Sequence, residues 1–424
     1  MKNFFFKVFS PKIKSSPKSI SFEEMSKSTK VLEIFKAISN FGKESEIRFV
    51  GGCVRKILNN ERFDDIDLAT NIHPEQIKEC LHNYNINFYE TGIEHGTITA
   101  TIDKKNFEIT SLRKDIKTDG RRATVKFTND WKEDADRRDF TINSIYADLE
   151  GNLFDPHNGF KDLENGIVKF IGDPEKRIKE DYLRILRYVR FFLSYSKQAH
   201  NPEIKKIIKQ NISGILNLSK ERLLDELKKL FLSNGFVKLN KDEFSQEILL
   251  LIFPQLKNID IINKLSKYSV SLIEKKDFIF LLSLMIIDET DNSDYFLYQF
   301  NVSNEAKKRI NFLKESYSKF QDKNTFSKKN LQKIFYFYGK LFLEDMIDFQ
   351  LFITGKNNKK LIELKEYFKN LEKPKFPIKA NIIMEKYKIK EGKELGQKLR
   401  YLENLWVENS FKITDKEIDK VFTI

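Results

Sequence analysis

Two glycines, Gly51 and Gly52, and an Asp-x-Asp pair, Asp65 and Asp67, lie within the segment RFVGGCVRKILNNERFDDIDLAT, residues 48–70. A strand-like run ends at Gly51 and Gly52 and a helical pattern follows, so backbone N–H groups at the start of that helix can bind an anion such as phosphate. Asp65 and Asp67 stand two positions apart on a predicted strand, which turns both carboxylates to the same face. Because neighbouring carboxylates repel each other, sites that keep both ionised usually hold divalent cations.

A phosphate turn beside a divalent-metal pair is the combination that nucleotidyl transfer from a nucleoside triphosphate requires. Two metal ions can activate an attacking hydroxyl group and neutralise the leaving pyrophosphate in an in-line displacement. Each half also has an ordinary interpretation, because Asp-x-Asp pairs are usually solvated turns and Gly-Gly pairs are usually tight turns. The short spacing between them in this chain favours the catalytic interpretation.

A second candidate pattern is EDYLRILRYVRF, residues 180–191, where charges recur at Asp181, Arg184, Arg187 and Arg190. On one helix, positions three apart drift by about 60° around the axis, so a slowly rotating stripe is predicted. Ordinary ion pairs on a helix surface give the same pattern. A carboxylate beside a guanidinium also matches the base edges of cytosine and adenine, and it would reject uracil and guanine. The pattern alone leaves both interpretations open.

The elements that must position these residues change in kind along the chain. Over residues 31–148, short strand-like runs alternate with helical ones and predict a small α/β domain. After about Lys169 the strand signals stop and successive helices are predicted, with KPKFP, residues 373–377, as the clearest linker. The predicted strands include 47–50, 65–69, 97–103 and 107–113, and the last two alternate on either side of residues 103–106, which predicts a hairpin.

Composition sets wide bounds on the class of protein. A chain of 424 residues with 40% hydrophobic residues is expected to be soluble and to divide into two to four domains. The net charge of +13 fits a polyanionic partner such as nucleic acid, and a coding bias toward lysine explains it equally well. Cys53 and Cys80 are the only cysteines, which argues against a disulfide framework and predicts a cytoplasmic location.

Two further features bear on location. No apolar run approaches the roughly 20 residues that a membrane span needs, so no membrane partner is predicted. Residues 1–22 carry Lys and Ser but neither acidic residues nor Arg. We therefore expect a disordered basic arm there rather than a transit peptide.

VGGCVRK, residues 50–56, and DDIDLAT, residues 64–70, resemble a known signature. It is that of the DNA polymerase β nucleotidyltransferase superfamily, and specifically of its class II tRNA nucleotidyltransferase and poly(A) polymerase family. Further blocks follow in the family's order: GIEHGTITATI (92–102), FEITSLRKD (107–115), EDADRRDFTINSIYAD (133–148), DPHNGFKDL (155–163), EDYLRILRYVRF (180–191) and KERLLDE (220–226). So many matches in the same order leave little room for coincidence.

The resemblance implies the catalytic residues. Asp65 and Asp67 would be the Mg2+ ligands, and Glu108 in the strand FEITSLR would be a third catalytic carboxylate near the metals. An exposed strand glutamate without such a role is the common alternative for Glu108. The five histidines are scattered singly and predict no His-based metal site.

The resemblance also implies contacts to the triphosphate and the ribose. Gly51, Gly52 and Arg55 would bind the triphosphate, the arginine through a guanidinium that can fork onto phosphate oxygens. In RRDFTIN, Asp139 would accept a hydrogen bond from the ribose 2'-OH, with Arg138 beside it on the nucleotide. A surface charge cluster is the ordinary alternative for this segment.

The pattern at residues 180–191 acquires a role from the same resemblance. Asp181 and Arg184 would select the base, and Arg187 and Arg190 would lie nearer the phosphates or support the other two. The block at residues 220–226 would brace this helix from the next one.

The resemblance predicts an α+β fold in which a small mixed-sheet nucleotidyltransferase head precedes an elongated all-helical neck, body and tail. Residues 113–134 resemble the flexible loop that the family needs for adding the last A, and members that add only C lack it. Departures from the family pattern occur at Lys56, Ser144 and Ala380. The implied divisions are a basic N-terminal extension at 1–26, the head at 27–168, the neck at 169–235, the body at 236–372 and the tail at 373–424.

The resemblance implies CCA addition to tRNA 3' ends from CTP and ATP, with tRNA as the partner. A poly(A) polymerase has the same head chemistry, but GIEHGTITATI resembles the tRNA enzymes and lacks the basic stretch of poly(A) polymerases. An enzyme that adds only A is a further alternative. A non-catalytic RNA-binding protein, from a different class, would have no need of two metal carboxylates.

Overall fold

The structure, a computed structural model, describes residues 17–63, 65–119 and 122–422. The chain forms two compact units that divide between Lys238 and Leu239. Most of the predicted basic arm, residues 1–16, lies outside the described residues, as does the tip of the predicted flexible loop at Gly120 and Arg121.

A seven-stranded sheet forms the centre of the first unit. In the described residues the strands are β1 (Ile47–Val50), β2 (Ile66–Thr70), β3 (Asn87–Gly92), β4 (Thr97–Ile102), β5 (Lys105–Ser111), β6 (Arg113–Asp119), β7 (Arg122–Phe127), β8 (Tyr146–Ala147) and β9 (Leu153–Phe154). The sheet order is β3-β4-β5-β2-β1-β8-β9, and β2 and β5 pair in parallel while the other neighbours are antiparallel. The predicted mixed sheet is therefore confirmed.

The hairpin predicted from the two alternating strands is confirmed in β4 and β5. In β5, Phe107 and Ile109 are buried while Glu108 between them is exposed, as the period of two requires. Asp103 and Lys104 form the turn with φ values of 49° and 64°. Two consecutive positive φ angles match the twist of antiparallel strands.

The strand predicted at residues 65–69 begins one residue later, at Ile66. Asp65 is exposed and precedes β2, whereas Asp67 lies within it and is half-buried. The expectation that both aspartates share one strand is therefore wrong for Asp65.

The helices of the first unit pack around this sheet and continue beyond it. The N-terminal segment is not a disordered arm from Pro17 onward, because a helix begins there and Phe22 packs 5.9 Å from Phe49, ring centroid to ring centroid. The helices are α1 (Pro17–Thr29), α2 (Val31–Ser39), α3 (Gly52–Leu58), α4 (Pro74–Asn83), α5 (Trp131–Asp136), α6 (Gly159–Asn165), α7 (Pro174–Glu180), α8 (Leu183–Tyr195), α9 (Pro202–Asn211) and α10 (Lys220–Phe231).

The charged stripe predicted on one helix is interrupted, because Arg184, Arg187 and Arg190 lie on α8 while Asp181 lies in the two-residue connection between α7 and α8. Helix α7 ends at Glu180, Asp181 is extended with φ −155°, and α8 begins at Leu183. The expectation of a single helix through residues 180–191 is therefore wrong. The carboxylate of Asp181 accepts a hydrogen bond from the backbone N–H of Leu183 at 3.2 Å, which stabilises the start of α8.

The predicted flexible loop at residues 113–134 contains regular structure. Strands β6 and β7 form a two-stranded antiparallel hairpin, and α5 follows it. At its base, Lys114 and Thr128 both donate to the carboxylate of Glu133, at 2.8 and 2.6 Å.

Helices are the only regular secondary structure in the described residues of the second unit. The predicted linker lies in residues 371–379, which form neither helix nor strand. No helix in the described part of the chain is long and apolar enough to cross a membrane. The helices are α11 (Glu243–Ile252), α12 (Lys267–Ile273), α13 (Phe278–Ile286), α14 (Asn292–Gln299), α15 (Asn304–Tyr317), α16 (Lys328–Tyr338), α17 (Lys340–Thr354), α18 (Lys359–Lys369), α19 (Ala380–Tyr387), α20 (Lys393–Glu408) and α21 (Asp415–Phe422).

Candidate active site

The glycine turn lies between β1 and α3. Gly51 has φ +71°, a conformation that residues with a Cβ rarely adopt. The place where a Cβ of Gly51 would stand is 3.7 Å from Arg138 Nη1 and 3.9 Å from Asp67 Oδ2. A Cβ on Gly52 would meet no atom within 4 Å. The turn therefore has room beside it, with a guanidinium and a carboxylate close by.

Asp67 lies close to two other carboxylates. Asp67 on β2 is in register with Glu108 on the parallel strand β5. The pKa of Asp67 is raised to about 6, first by burial and then by the Glu108 carboxylate. Arg138 acts against this shift, and Asp65 adds to it. The excess of negative charge is of the kind that a divalent cation neutralises.

The donor chemistry fits Mg2+. This ion is typically bound by one or two carboxylates together with substrate phosphates, and Asp65 and Asp67 supply that number. Among the described residues, which omit Asp64, no group of three or more His, Cys, Asp and Glu side chains could hold a metal ion. Glu108 is therefore beside Asp67 without completing a three-carboxylate site.

Arg55 is buried and held by residues of other elements. Its Nη1 donates to Asn143 Oδ1, and its guanidinium lies over the rings of Phe191 and Tyr195, at 4.7 and 5.1 Å from their centroids. Its Nε is buried and has no hydrogen-bond partner. The guanidinium thus joins α3 to α8 and keeps one N–H for another acceptor.

Asp134 holds Arg138 at the glycine turn. Arg138 donates to Asp134 Oδ2 through Nε at 3.2 Å and Nη2 at 3.0 Å. Tyr146 donates to the same oxygen at 2.6 Å and accepts from Arg138 Nε at 3.0 Å. Although burial opposes ionisation, Arg137 and Arg138 hold the pKa of Asp134 well below its usual range. This arrangement leaves Arg138 Nη1 beside Gly51.

Asp139 is a buried carboxylate with three donors. Its Oδ2 accepts from Arg187 Nε at 2.6 Å, and its Oδ1 accepts from Asn143 Nδ2 and the backbone N–H of Phe140, both at 2.9 Å. Burial raises its pKa, but Arg187 outweighs burial and holds it well below its usual range. Since Asn143 also binds Arg55, one side chain links the predicted ribose and triphosphate residues.

Asp181 and Arg184 do not pair with each other. Asp181 Oδ2 accepts from Arg222 Nη2 at 2.7 Å. Arg184 Nη1 donates to Glu180 Oε2 and to the carbonyl oxygen of Arg177, both at 2.6 Å. The two predicted base-selecting residues thus form ion pairs with other residues and not with each other, and their role toward a base remains a prediction.

The brace predicted from residues 220–226 is confirmed. Glu226 on α10 is 2% exposed and accepts from Arg190 Nε, while Arg187 Nη1 lies 3.9 Å from its Oε2. Arg222 on the same helix pairs with Asp181. Helix α10 therefore contacts Asp181, which precedes α8, as well as two of the arginines on α8.

Sequence interpretation missed three residues that hold this site together. Asp134 stands four positions before Arg138, a helical pairing distance that the sequence displays. The contact of Tyr146 with Arg138 and that of Arg177 with the carbonyl oxygen of Arg138 carried no such signal, because each joins different elements.

The sheet, the glycine turn and the carboxylate pair define a nucleotidyltransferase head. Residues 47–169 match the family described as Poly A polymerase head domain, and residues 201–259 match Probable RNA and SrmB- binding site of polymerase A. The mouse protein CCA tRNA nucleotidyltransferase 1, mitochondrial, is 35% identical over 393 residues, which cover 89% of this chain and 87% of the relative. The chain belongs to the CCA tRNA nucleotidyltransferase family.

Two further comparisons agree with this assignment. The human protein of the same name is 48% identical over 198 residues, so the matched region spans 46% of this chain and 46% of the relative, about half of its length. The crystal structure of Bacillus stearothermophilus CCA-adding enzyme in complex with CTP has a TM-score of 0.68 at 22% identity, covering 90% of this chain and 92% of that one. At that identity the likeness shows the shared fold.

Proposed function

We propose that this chain adds CMP, CMP and AMP to the 3' end of tRNA from CTP and ATP, without a nucleic-acid template and with release of pyrophosphate. One observation carries the proposal. Asp67 Oδ2 and Arg138 Nη1 both lie within 4 Å of the place where a Cβ of Gly51 would stand. A metal-binding carboxylate and a phosphate-binding guanidinium thus share one glycine turn, as transfer from a triphosphate requires.

In the proposed mechanism, Asp65 and Asp67 hold Mg2+. These two carboxylates would place Mg2+ where it would supply activation of the attacking 3'-hydroxyl and neutralisation of the leaving pyrophosphate. Gly51, Gly52, Arg138 Nη1 and Arg55 bind the triphosphate, and Arg55 has a buried Nε without a hydrogen-bond partner. These donors position the phosphates for in-line attack.

Asp139 selects ribonucleotides in this mechanism. Arg187 keeps its carboxylate ionised, and a carboxylate oxygen can accept a second hydrogen bond beside the one from Arg187. A ribose 2'-OH would donate that bond. A deoxynucleotide lacks the hydroxyl and would leave the buried oxygen with one donor fewer.

Asp181 and Arg184 select the base. Cytosine and adenine each present an amino donor next to a ring-nitrogen acceptor, which suits a carboxylate next to a guanidinium. Uracil and guanine present a carbonyl next to an N–H and would face the wrong partner. The same two residues can therefore accept both CTP and ATP.

We propose tRNA as the partner and the helical region after Gly235 as its main contact. The net charge of +13 supports binding through phosphates, which reads the shape of RNA rather than its sequence. Binding should then weaken steeply as salt is raised. We also propose that the protein is located in the cytoplasm, because its two cysteines are buried and form no disulfide.

One experiment separates the enzyme alternatives. tRNA lacking all of CCA, tRNA lacking only the final A and a generic oligoribonucleotide are each incubated with CTP, ATP or both. With CTP and ATP together, the proposal expects three added nucleotides on the first substrate, one on the second and none on the third. Addition of A to the second substrate with no addition to the first would indicate an A-adding enzyme, and long tails on the third would indicate a poly(A) polymerase.

A further inference from the structure

Arg177 lies outside every residue assigned above to the nucleotide, yet it contacts two parts of the site. It stands on α7, and its side chain is 11% exposed. Its Nη2 donates to the carbonyl oxygens of Arg137 and Arg138, the second at 2.5 Å. The guanidinium of Arg177 therefore binds the backbone carbonyl groups of the two residues before Asp139.

The neighbouring carbonyl is held from the same side. The backbone N–H of Ile171 donates to the carbonyl oxygen of Asp139 at 3.0 Å. Three consecutive carbonyl groups, from Arg137 to Asp139, thus accept hydrogen bonds from residues 171–177. These bonds fix the backbone from which the side chains of Arg138 and Asp139 extend, relative to residues 171–177.

Arg177 also fixes the predicted base-selecting arginine. Its Nη1 donates to Glu180 Oε2 at 2.5 Å, and Arg184 Nη1 donates to that same oxygen at 2.6 Å. Arg184 Nη1 additionally donates to the carbonyl oxygen of Arg177 at 2.6 Å. The position of Arg184 is thus set by two groups of α7. One is the carboxylate of Glu180, which Arg177 also binds, and the other is the carbonyl group of Arg177 itself.

We propose that Arg177 is a positioning residue that sets the distance between the base-selecting Arg184 and the ribose- and phosphate-binding pair Arg138 and Asp139. The inference rests on the proposed function of those residues. A nucleotide whose ribose is held by Asp139 offers its base to Arg184 at the correct distance only while Arg177 joins the two segments. The choice of base therefore depends on a residue that does not touch the base.

The geometry requires an arginine at this position. Its planar fork serves two carbonyl groups with one nitrogen and a carboxylate with another, whereas a lysine has one nitrogen on a flexible stem. With lysine, Glu180 would pair with Arg184 alone and at least one carbonyl would lose its donor. Arg184 would then be free to shift relative to Asp139.

The test uses Arg177→Lys, Arg177→Gln and a control on the same helix. Lys179 is exposed and its Nζ pairs with Glu175 at 2.7 Å, so Lys179→Gln removes a charge and an ion pair without touching the site. The readout is the ratio of kcat/KM for CTP to that for UTP on tRNA lacking CCA. This ratio does not depend on the fraction of enzyme that is folded, so a loss of stability alone does not change it.

We expect both Arg177 variants to lose selectivity for CTP over UTP by about tenfold or more, since misplacement by about 1 Å can cost a factor of about 100 in rate. Lys179→Gln should keep the wild-type ratio. For a variant with too little turnover, the shifts in melting temperature produced by CTP and by UTP give the same comparison, and the difference between the two shifts should shrink.

An unchanged ratio in both Arg177 variants, or an unchanged difference in melting shift, would overturn the inference. The outcome is separable from that of the proposed function. If the wild-type chain fails to add C, C and A, the proposed function fails, whatever the variants do. If the wild type adds them and the Arg177 variants discriminate as it does, only the role of Arg177 is wrong.

Discussion

At the scale of single residues, the metal carboxylates give the most direct prediction. Asp65→Ala should lower the rate of nucleotide incorporation by about a thousandfold or more, because a bound metal supplies several kcal/mol of charge stabilisation. Affinity for tRNA should stay nearly unchanged, since Asp65 is a single exposed carboxylate on the head. Product extension on gels and a filter-binding assay measure the two quantities.

Asp103→Ala is the matched control for Asp65→Ala. Asp103 is also an exposed aspartate of the head, and it pairs with Lys30 at 2.7 Å. Its removal should leave incorporation at the wild-type rate. Activity that persists in Asp65→Ala at the level of this control would contradict the metal role.

Tyr146 is the residue through which the hold on Arg138 can be tested. Tyr146→Phe deletes the hydroxyl that donates to Asp134 and accepts from Arg138. Loss of a hydrogen bond to a charged group costs about 1.5–3 kcal/mol, so the KM for CTP and for ATP should rise about tenfold. Steady-state kinetics with each nucleotide measure this change.

The control for Tyr146→Phe is Tyr84→Phe. The Tyr84 hydroxyl also accepts a hydrogen bond, from Asn40, but the ring is 41% exposed and away from the site residues. Its KM values should equal those of the wild type. If Tyr146→Phe had the same KM as this control, Asp134 alone would suffice to place Arg138.

At the scale of elements, the base of the β6–β7 hairpin depends on Gly96. Gly96 has φ +77°, and a Cβ there would stand 2.5 Å from Phe127 Cε1, at the end of β7. Gly96→Ala should therefore push Phe127 away and loosen the hairpin. Because this hairpin occupies the segment that resembles the loop for adding the last A, we expect products that end in CC to accumulate relative to CCA.

Gly172→Ala separates backbone strain from the contact. Gly172 has the same φ of +77°, and a Cβ there would meet no atom within 4 Å. Both variants should lose about 1 kcal/mol from the strained conformation, and only Gly96→Ala should lose more through Phe127. Equal melting temperatures would show that the Phe127 contact adds nothing.

How far the sequence predicts the elements depends on whether their determinants are local. The β4–β5 hairpin is predicted correctly because its alternation and its turn lie within about fifteen residues. The break at Asp181 is missed because the apolar period continues through it while the cause is remote. Asp181 is held by Arg222, 41 residues later in the chain. The same reason hides the contacts of Arg177, which lie about 40 residues away.

At the scale of the whole molecule, the predicted nucleotide site and a buried ion cluster lie in different units. All predicted nucleotide and metal residues lie in the first unit, before Lys238. The second unit contains a buried ion cluster of its own, in which Lys276 and Lys365 donate to the fully buried Asp348. The stability of the second unit and the selection of the nucleotide should therefore be separable by mutation.

Asp348→Asn tests this separation. Removing the buried carboxylate leaves two lysines without their partner, which should lower the free energy of unfolding by about 3–5 kcal/mol. Asp294→Asn breaks an exposed pair with Lys314 and should cost less than about 1 kcal/mol. Calorimetry measures both changes. At temperatures where the chain is folded, Asp348→Asn should select CTP over UTP as the wild type does, and a loss of selectivity would show that the second unit shapes the nucleotide site.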